Sequence, residues 1–221
     1  MPGWLKRAPG FHGHENLVLS KDTALLSLRY VVLDTELTSL DYRTNRLLSI
    51  GAIAMRGPSI QLGEQFYRVV NPQVLIPAET VVIHKLRSQD LAGAEPLERT
   101  LNDFCQFVQG SVLVGHFVDI ELKILKKEMR RTGNQIDNPA VDTARIHRWI
   151  LRHGPHFEDL SIEWDKVDLA TLAKVYCLDV HDAHHALADA YLTGRIWQRM
   201  LHTLQSRGID NLGKLLKIGG V

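Results

Sequence analysis

The stretch Leu28–Asp41, LRYVVLDTELTSLD, decides how this chain reads. Its apolar run, Tyr30-Val31-Val32-Leu33, has the length and β-branched content of a buried strand. It ends on two acids separated by one residue, Asp34 and Glu36. Side chains two apart on a strand project from the same face, so the two carboxylates stand side by side. Like charges so placed repel, and each raises the other's pKa unless a cation lies between them. The end of this strand therefore asks for a cation.

The remaining composition bounds the answer. At 221 residues the chain is long enough for one domain with a substantial core. Its 45% hydrophobic and 23% charged content is that of an ordinary soluble globular protein. A formal net charge of +1 excludes a chain-wide electrostatic drive toward nucleic acid or membrane, so any such field must come from local clustering or a bound metal. Cys105 and Cys177 stand far apart with no CxxC pair, which fits a reducing compartment better than a disulfide scaffold. No apolar run approaches membrane-spanning length, and the opening MPGWLKRAPGFHGHEN has no signal-peptide core. A cytoplasmic protein with no membrane partner is expected.

Residues 1–27 show no clear period and read as an extension, with a short helix opened by Ser20 as N-cap. Strand signals follow at 28–35, 46–56 and 63–70, joined by short turn-rich segments, which predicts an antiparallel meander. Helices are expected at 78–84 and 96–109, then a short strand in SVLVGH, a helix from Asp119 to Arg131, and a strand running into a helix at NPAVDTARI. Two more helices, 167–177 and 183–205, follow a polar loop. The order βββ-α-β-α-β-α-α predicts an α/β fold, a mixed five-stranded sheet with helices on its faces. Residues 28–205 form the domain and 206–221 a C-terminal tail with a frayed terminus. GIDNLGKL, Gly208 to Leu215, imitates a phosphate-binding loop but lacks its final Ser/Thr and a preceding strand.

Acids recur where a plain core would not place them. VLVGHFVDIELKIL carries Asp119 and Glu121 where an apolar strand meets a helix, and DVHDAHHALADAYL carries His184 and Asp189 at a helix start. Hard oxygen donors with little sulfur suit Mg²⁺ or Mn²⁺ rather than zinc. Two such ions held by four carboxylates can clamp the attacking and leaving oxygens of a phosphodiester, and a histidine beside them can take a proton from water.

These blocks, in this order, resemble the DEDDh 3′→5′ exonucleases, the DnaQ-like group of the RNase H-like fold. Asp34-Thr35-Glu36 matches the family's first block, Gly115-His116-Phe117-Val118-Asp119-Ile120-Glu121 its second, and His184-His185-Ala186-Leu187-Ala188-Asp189 its third. The resemblance covers roughly residues 28–205. It implies that Asp34, Glu36, Glu121 and Asp189 hold two Mg²⁺ or Mn²⁺ ions and that His184 is the general base. It also implies that Thr35, Leu37, Thr38 and His116 place the terminal nucleotide of a DNA or RNA 3′ end, with Leu37 as a wedge against the last base. The family includes the epsilon subunit of DNA polymerase III, RNase T and oligoribonuclease. It therefore implies DNA trimming in proofreading or repair, with a DNA polymerase as a further partner, or else RNA trimming.

The second block departs from the pattern. Five residues after His116 stands Glu121, where the family has Asp; Asp119 is read as the helix N-cap and Glu121 as the ligand. The extra methylene adds about 1.5 Å of reach, so lower activity with Mg²⁺ than with Mn²⁺ is expected. A module that binds nucleic acid without cutting it is the alternative of a different class. Phe117 replaces the family's Asn, and Leu37 and Ser39 replace Thr and Gly. His181 and His185 read as surface or supporting residues. Lys123, Lys126, Lys127, Arg130 and Arg131 read as a solvated basic face, and Arg43, Arg46, Lys85 and Arg87 as candidates for touching substrate. Only about thirty residues follow Asp189, which favours a stand-alone enzyme over one docked on a polymerase.

Overall fold

The computed structural model describes residues 19–221 except 40, 42, 75, 77–79, 83–85, 87–90, 92, 155–166 and 181–183. The expected N-terminal extension, the helix around 78–84 apart from 80–82, the polar loop and His181 thus lie wholly or largely outside the described residues. Within them, β1 (Arg29–Leu37), β2 (Leu47–Arg56) and β3 (Ser59–Val69) form the predicted antiparallel meander. Two short strands, β4 (Val112–Gly115) and β5 (Ala140–Asp142), add in parallel on the other side of β1. The resulting order among the described residues is β3-β2-β1-β4-β5, a mixed five-stranded sheet.

Helices cover both faces, and the alternation of β1 sorts its residues between them. Val31 and Leu33 pack against α1 (Leu97–Phe107) and α2 (Val118–Thr132), with Phe104, Leu122 and Leu125 at the centre of that layer. Tyr30 and Val32 face the other layer, built from α3 (Thr143–Arg152), α4 (Leu169–Val175), α5 (Ala186–Ser206) and α6 (Leu212–Gly219). Trp197 on α5 is fully buried there, with its ring edge-on to Tyr30 at 5.4 Å. Asp34 and Glu36 continue the Tyr30–Val32 alternation, so they emerge on the α5 face where the strand leaves the core.

The C-terminal tail differs from its expectation. Residues 212–219 form α6, with Leu212, Leu215 and Gly219 on one buried face. Asn211 caps it by accepting the Lys214 N–H at 3.0 Å. Gly219 sits where a side chain would meet Ile146, and Val221 N–H donates to the Ala140 carbonyl along the β5 edge. The tail belongs to the domain because its leucines are spaced to dock on α3, a helical period that the Gly-rich flanks obscure. Ser20 likewise caps no helix: its hydroxyl accepts the Asp22 N–H in a turn, and the 3₁₀ turn Leu25–Ser27 begins after Ala24.

One glycine sets how closely α5 approaches the sheet. Gly51 on β2 pairs with Asp34, and a Cβ at that position would lie 2.2 Å from the backbone of Ala186 and Leu187. Close backbone approach is the usual reason for glycine inside a buried strand. A methyl there must push the first turn of α5 off the sheet. Gly51→Ala is expected to cost about 2 kcal/mol, read as a fall of about 5 °C in Tm. Differential scanning fluorimetry checks this, and an unchanged Tm would mean that α5 is not seated as described.

Candidate active site

The close seating of α5 brings the third acidic block onto the first. Carboxylate oxygens of Asp34, Glu36 and Asp189 lie within 4.8 Å of one another. A β-bulge accompanies this: Glu36 pairs with Ser49 and Leu37 with Leu47, leaving Leu48 as the extra residue on β2. Bulges at such places re-aim side chains at a strand end. At the start of α5, His184 adopts φ +65° and its N–H donates to Asp189 Oδ2 at 2.9 Å. That bond holds one oxygen of Asp189 in place beside Asp34 and Glu36.

Glu121 arrives from the opposite side of the sheet. It is buried in the first turn of α2 and accepts a hydrogen bond from the Thr35 hydroxyl, on the β1 face away from Asp34. Its carboxylate therefore lies outside the close triplet, yet near enough for its charge to act on Asp34 and Glu36. Asp119 is not the cap of this helix. The helix begins one residue earlier, Phe117 occupies the cap position in the left-handed region at φ +54°, and Asp119 pairs with Arg145 of α3 at 2.6 Å. Two positions of helical rotation separate Asp119 from Glu121 and send them to different partners.

Burial and mutual repulsion act together on these acids. Burial first, then Glu121, Asp189 and Glu36, raise Asp34 well above the ordinary carboxylate range. Burial, then Asp189 and Glu121, push Glu36 up to about 8. Burial raises Glu121 to about 7 against the opposing hydrogen bonds from Thr35. Asp189 is raised by burial, offset in part by the His184 N–H. Among the described residues no Lys or Arg forms an ion pair with any of the four. Hard oxygen donors gathered without a cationic side chain fit a divalent metal ion.

The residues expected around a nucleotide separate into two groups. Leu37 is half-buried one position beyond Glu36 and packs against the α1–α2 layer. Thr38 is buried, and its hydroxyl accepts the Arg46 N–H at 2.9 Å while its own N–H donates to the Arg46 carbonyl. His116 has both ring nitrogens engaged, with Nδ1 at 3.0 Å from the Thr143 hydroxyl and Nε2 at 2.8 Å from the Val167 carbonyl. Burial lowers its pKa, so the neutral ring donates from Nε2 and accepts at Nδ1. Thr38 and His116 thus have their polar side-chain atoms engaged within the fold.

Arg46, expected to touch substrate, lies 3.6 Å from Glu128. Within the basic face of α2, Arg131 also pairs with Glu128, and Lys127 donates to Asn45, so that face is only partly a solvated one. Arg43 is exposed, whereas Lys85 and Arg87 lie outside the described residues. Two neighbours of the acids carry no acidic signal in the sequence: Gly51, legible only as a glycine inside an apolar strand, and Tyr67 of β3, stacked on His185.

The raised acids predict how stability varies with pH. Glu36 keeps its proton in the metal-free fold to about pH 8, whereas the unfolded chain loses it near the ordinary value of 4.5. Its contribution is therefore complete below pH 4.5 and is lost as pH rises through 8. The Tm of metal-stripped protein is expected to fall between these limits, to fall less in Glu36→Gln, and to recover when a divalent ion is added at the alkaline end. A metal-free Tm that rises with pH across this window would contradict the described burial.

The chain is similar to known proteins in sequence and in fold. The chain is 27% identical over 199 residues to the PolC-type DNA polymerase III of Caldanaerobacter subterraneus subsp. tengcongensis, spanning 90% of this chain and 13% of that protein. It is 28% identical to the DNA polymerase III subunit epsilon of Aquifex aeolicus over 81% of this chain and 84% of that one. A Rhodobacter capsulatus epsilon-like protein matches at 28% identity over 88% of this chain, which spans 27% of its length. Among solved structures, E. coli Exonuclease I in complex with a dT13 oligonucleotide superposes with a TM-score of 0.69 at 18% identity, covering 82% of this chain and 43% of that one. The cell-death related nuclease CRN-4 does so at 0.68 and 18%, covering 81% and 66%. The RNase_T family model, described as exonuclease, matches residues 31–197, and the chain belongs to that exonuclease family.

Proposed function

We propose that this protein is a metal-dependent 3′→5′ exonuclease that hydrolyses the terminal phosphodiester of a DNA strand and releases nucleoside monophosphates. The observation that carries this reading is the close triplet of Asp34, Glu36 and Asp189. It stands without a cationic side-chain partner among the described residues, in a chain of an exonuclease family. In this reading the triplet, joined by Glu121, holds two Mg²⁺ or Mn²⁺ ions. Bound there, the ions supply Lewis-acid activation of water and neutralise charge on the departing 3′ oxygen.

The protein's own groups do the rest. Asp34 would hold the ions together with Glu36, Glu121 and Asp189, each of which acts on its charge. His184, held at the threshold of α5 by its bond to Asp189, takes the proton from the attacking water at an imidazole nitrogen. Thr35 orients Glu121, and Leu37 presents an apolar surface one residue past Glu36 on which the terminal base rests. Thr38 and His116 fix the strand end and the β4–α2 junction beneath the nucleotide. DNA is favoured over RNA because the named relatives are DNA polymerase III chains and the Exonuclease I structure holds dT13.

The test uses 5′-labelled, 3′-tailed single-stranded DNA and RNA with Mg²⁺ and Mn²⁺ supplied separately. A ladder shortening from the 3′ end is expected on DNA, faster with Mn²⁺, and at least about a thousandfold weaker in Asp34→Ala. Retained binding with no monophosphate released under either ion would overturn the reading. Glu121→Asp places the carboxylate about 1.5 Å nearer its helix and is expected to narrow the difference between the two metals. Equal rates with both metals, unaffected by this substitution, would remove Glu121 from the metal site.

A further inference from the structure

We propose that Tyr67, on the outer strand β3, is a positioning residue for this site: its ring, stacked on His185, holds the corner at which His184 meets α5. The inference rests on the exonuclease reading only for its kinetic readout. Its basis is a single row across the sheet, in which Tyr67 pairs with Gly51 and Gly51 with Asp34. With no side chain at Gly51, the first turn of α5 lies directly over that row, and the Tyr67 ring meets the residue that opens the helix. The Tyr67 and His185 rings are 4.7 Å apart at 25°, a stacked pair.

His185 is the N-cap residue of α5, extended at φ −124° and ψ 112°, and it makes no side-chain capping bond. Its side chain makes no capping hydrogen bond, and the stack with Tyr67 places it, beside the Asp189 carboxylate on which it also acts. The neighbouring His184 sits at φ +65°, a conformation that a non-glycine residue keeps only where its surroundings fix it. Two bonds depend on that corner. His184 N–H donates to Asp189 Oδ2 at 2.9 Å, and Asp189 N–H donates to the His185 carbonyl at 3.0 Å. If His185 moves, the first bond loses its aim and Asp189 is free to turn away from Asp34 and Glu36.

The surroundings support a positioning role rather than a share in the core. His185 is exposed and Tyr67 half-buried, so truncating either leaves the two apolar layers intact. Burial, then the Glu36 carboxylate, raises the Tyr67 phenol, which faces His185 as a neutral ring. Stacked aromatic pairs are favoured in this offset geometry, and a phenyl ring provides it as well as a phenol.

The test compares Tyr67→Ala, Tyr67→Phe, His185→Ala and the double alanine variant in the full chain. Three readouts are used: amide hydrogen exchange at His184, Mn²⁺ affinity, and kcat and KM on a 3′-tailed oligonucleotide. Tyr67→Ala is expected to speed exchange at His184 about tenfold, to weaken Mn²⁺ binding several-fold, and to lower kcat about tenfold with KM nearly unchanged. Tyr67→Phe should restore all three, and the double variant should be no worse than either single alanine change. Unchanged exchange and Mn²⁺ affinity in Tyr67→Ala, a Phe variant as impaired as Ala, or additive losses in the double variant would each overturn the proposal. Exchange and Mn²⁺ binding need no turnover. If the wild-type protein released no monophosphate, the proposed function would fail while these two readouts still decided the role of Tyr67.

Discussion

The site depends on one contact that has no side chain in it: the backbone of Ala186 and Leu187 lying against Gly51. That closeness brings the acid of the third block onto those of the first. Asp34 is the strand partner of Gly51, and Asp189 stands one turn along the helix that Gly51 admits. The apolar remainder of α5, with Trp197, Ile196 and Met200 fully buried, holds the helix down. Each such side chain contributes roughly 1.5–3 kcal/mol on burial, which offsets the repulsion of carboxylates brought together without a cation. The fold thus spends hydrophobic packing on an arrangement that a bound divalent ion completes.

Glu121 enters this arrangement from the other layer. Its helix packs with Leu122 and Leu125 against Val31 and Leu33, so its first turn reaches the strand end from the face opposite Asp34. The Thr35 hydroxyl is the first polar group on that path and takes the carboxylate. A side chain one methylene longer than aspartate can make this bond while its charge still acts on Asp34 and Glu36. Two helical layers thereby meet at one strand end, one giving Asp189 and the other Glu121.

Strand alternation made Asp34 and Glu36 legible, because period two needs only neighbouring residues to be read. The same holds for the meander, the two strand-to-helix junctions and the long helix carrying Asp189. What stayed hidden were relations between distant segments. Asp119 follows an apolar strand and has the chemistry of a cap, yet Phe117 takes a left-handed turn and Arg145 claims the carboxylate. Thr38 and His116, which the family resemblance implied for a nucleotide, each meet backbone or side-chain partners eight to fifty-one residues away. Residues 206–221 look like a tail because Gly and Lys interrupt the leucines, and only the docked face on α3 reveals the helix. Gly51 carried a readable sign, a glycine within an apolar strand, whereas nothing near Tyr67 in the chain points to His185.

Burial and mutual repulsion raise these carboxylates above their ordinary range, so divalent ions are expected to displace protons as they bind. Calorimetric titration of Mn²⁺ at pH 7 in buffers of differing ionisation enthalpy counts those protons. A net release of about one proton or more is expected on binding, with release and affinity both reduced in Glu36→Gln. Binding without proton release, or with unaltered release in that variant, would mean that the site is already ionised and that burial does not raise its carboxylates.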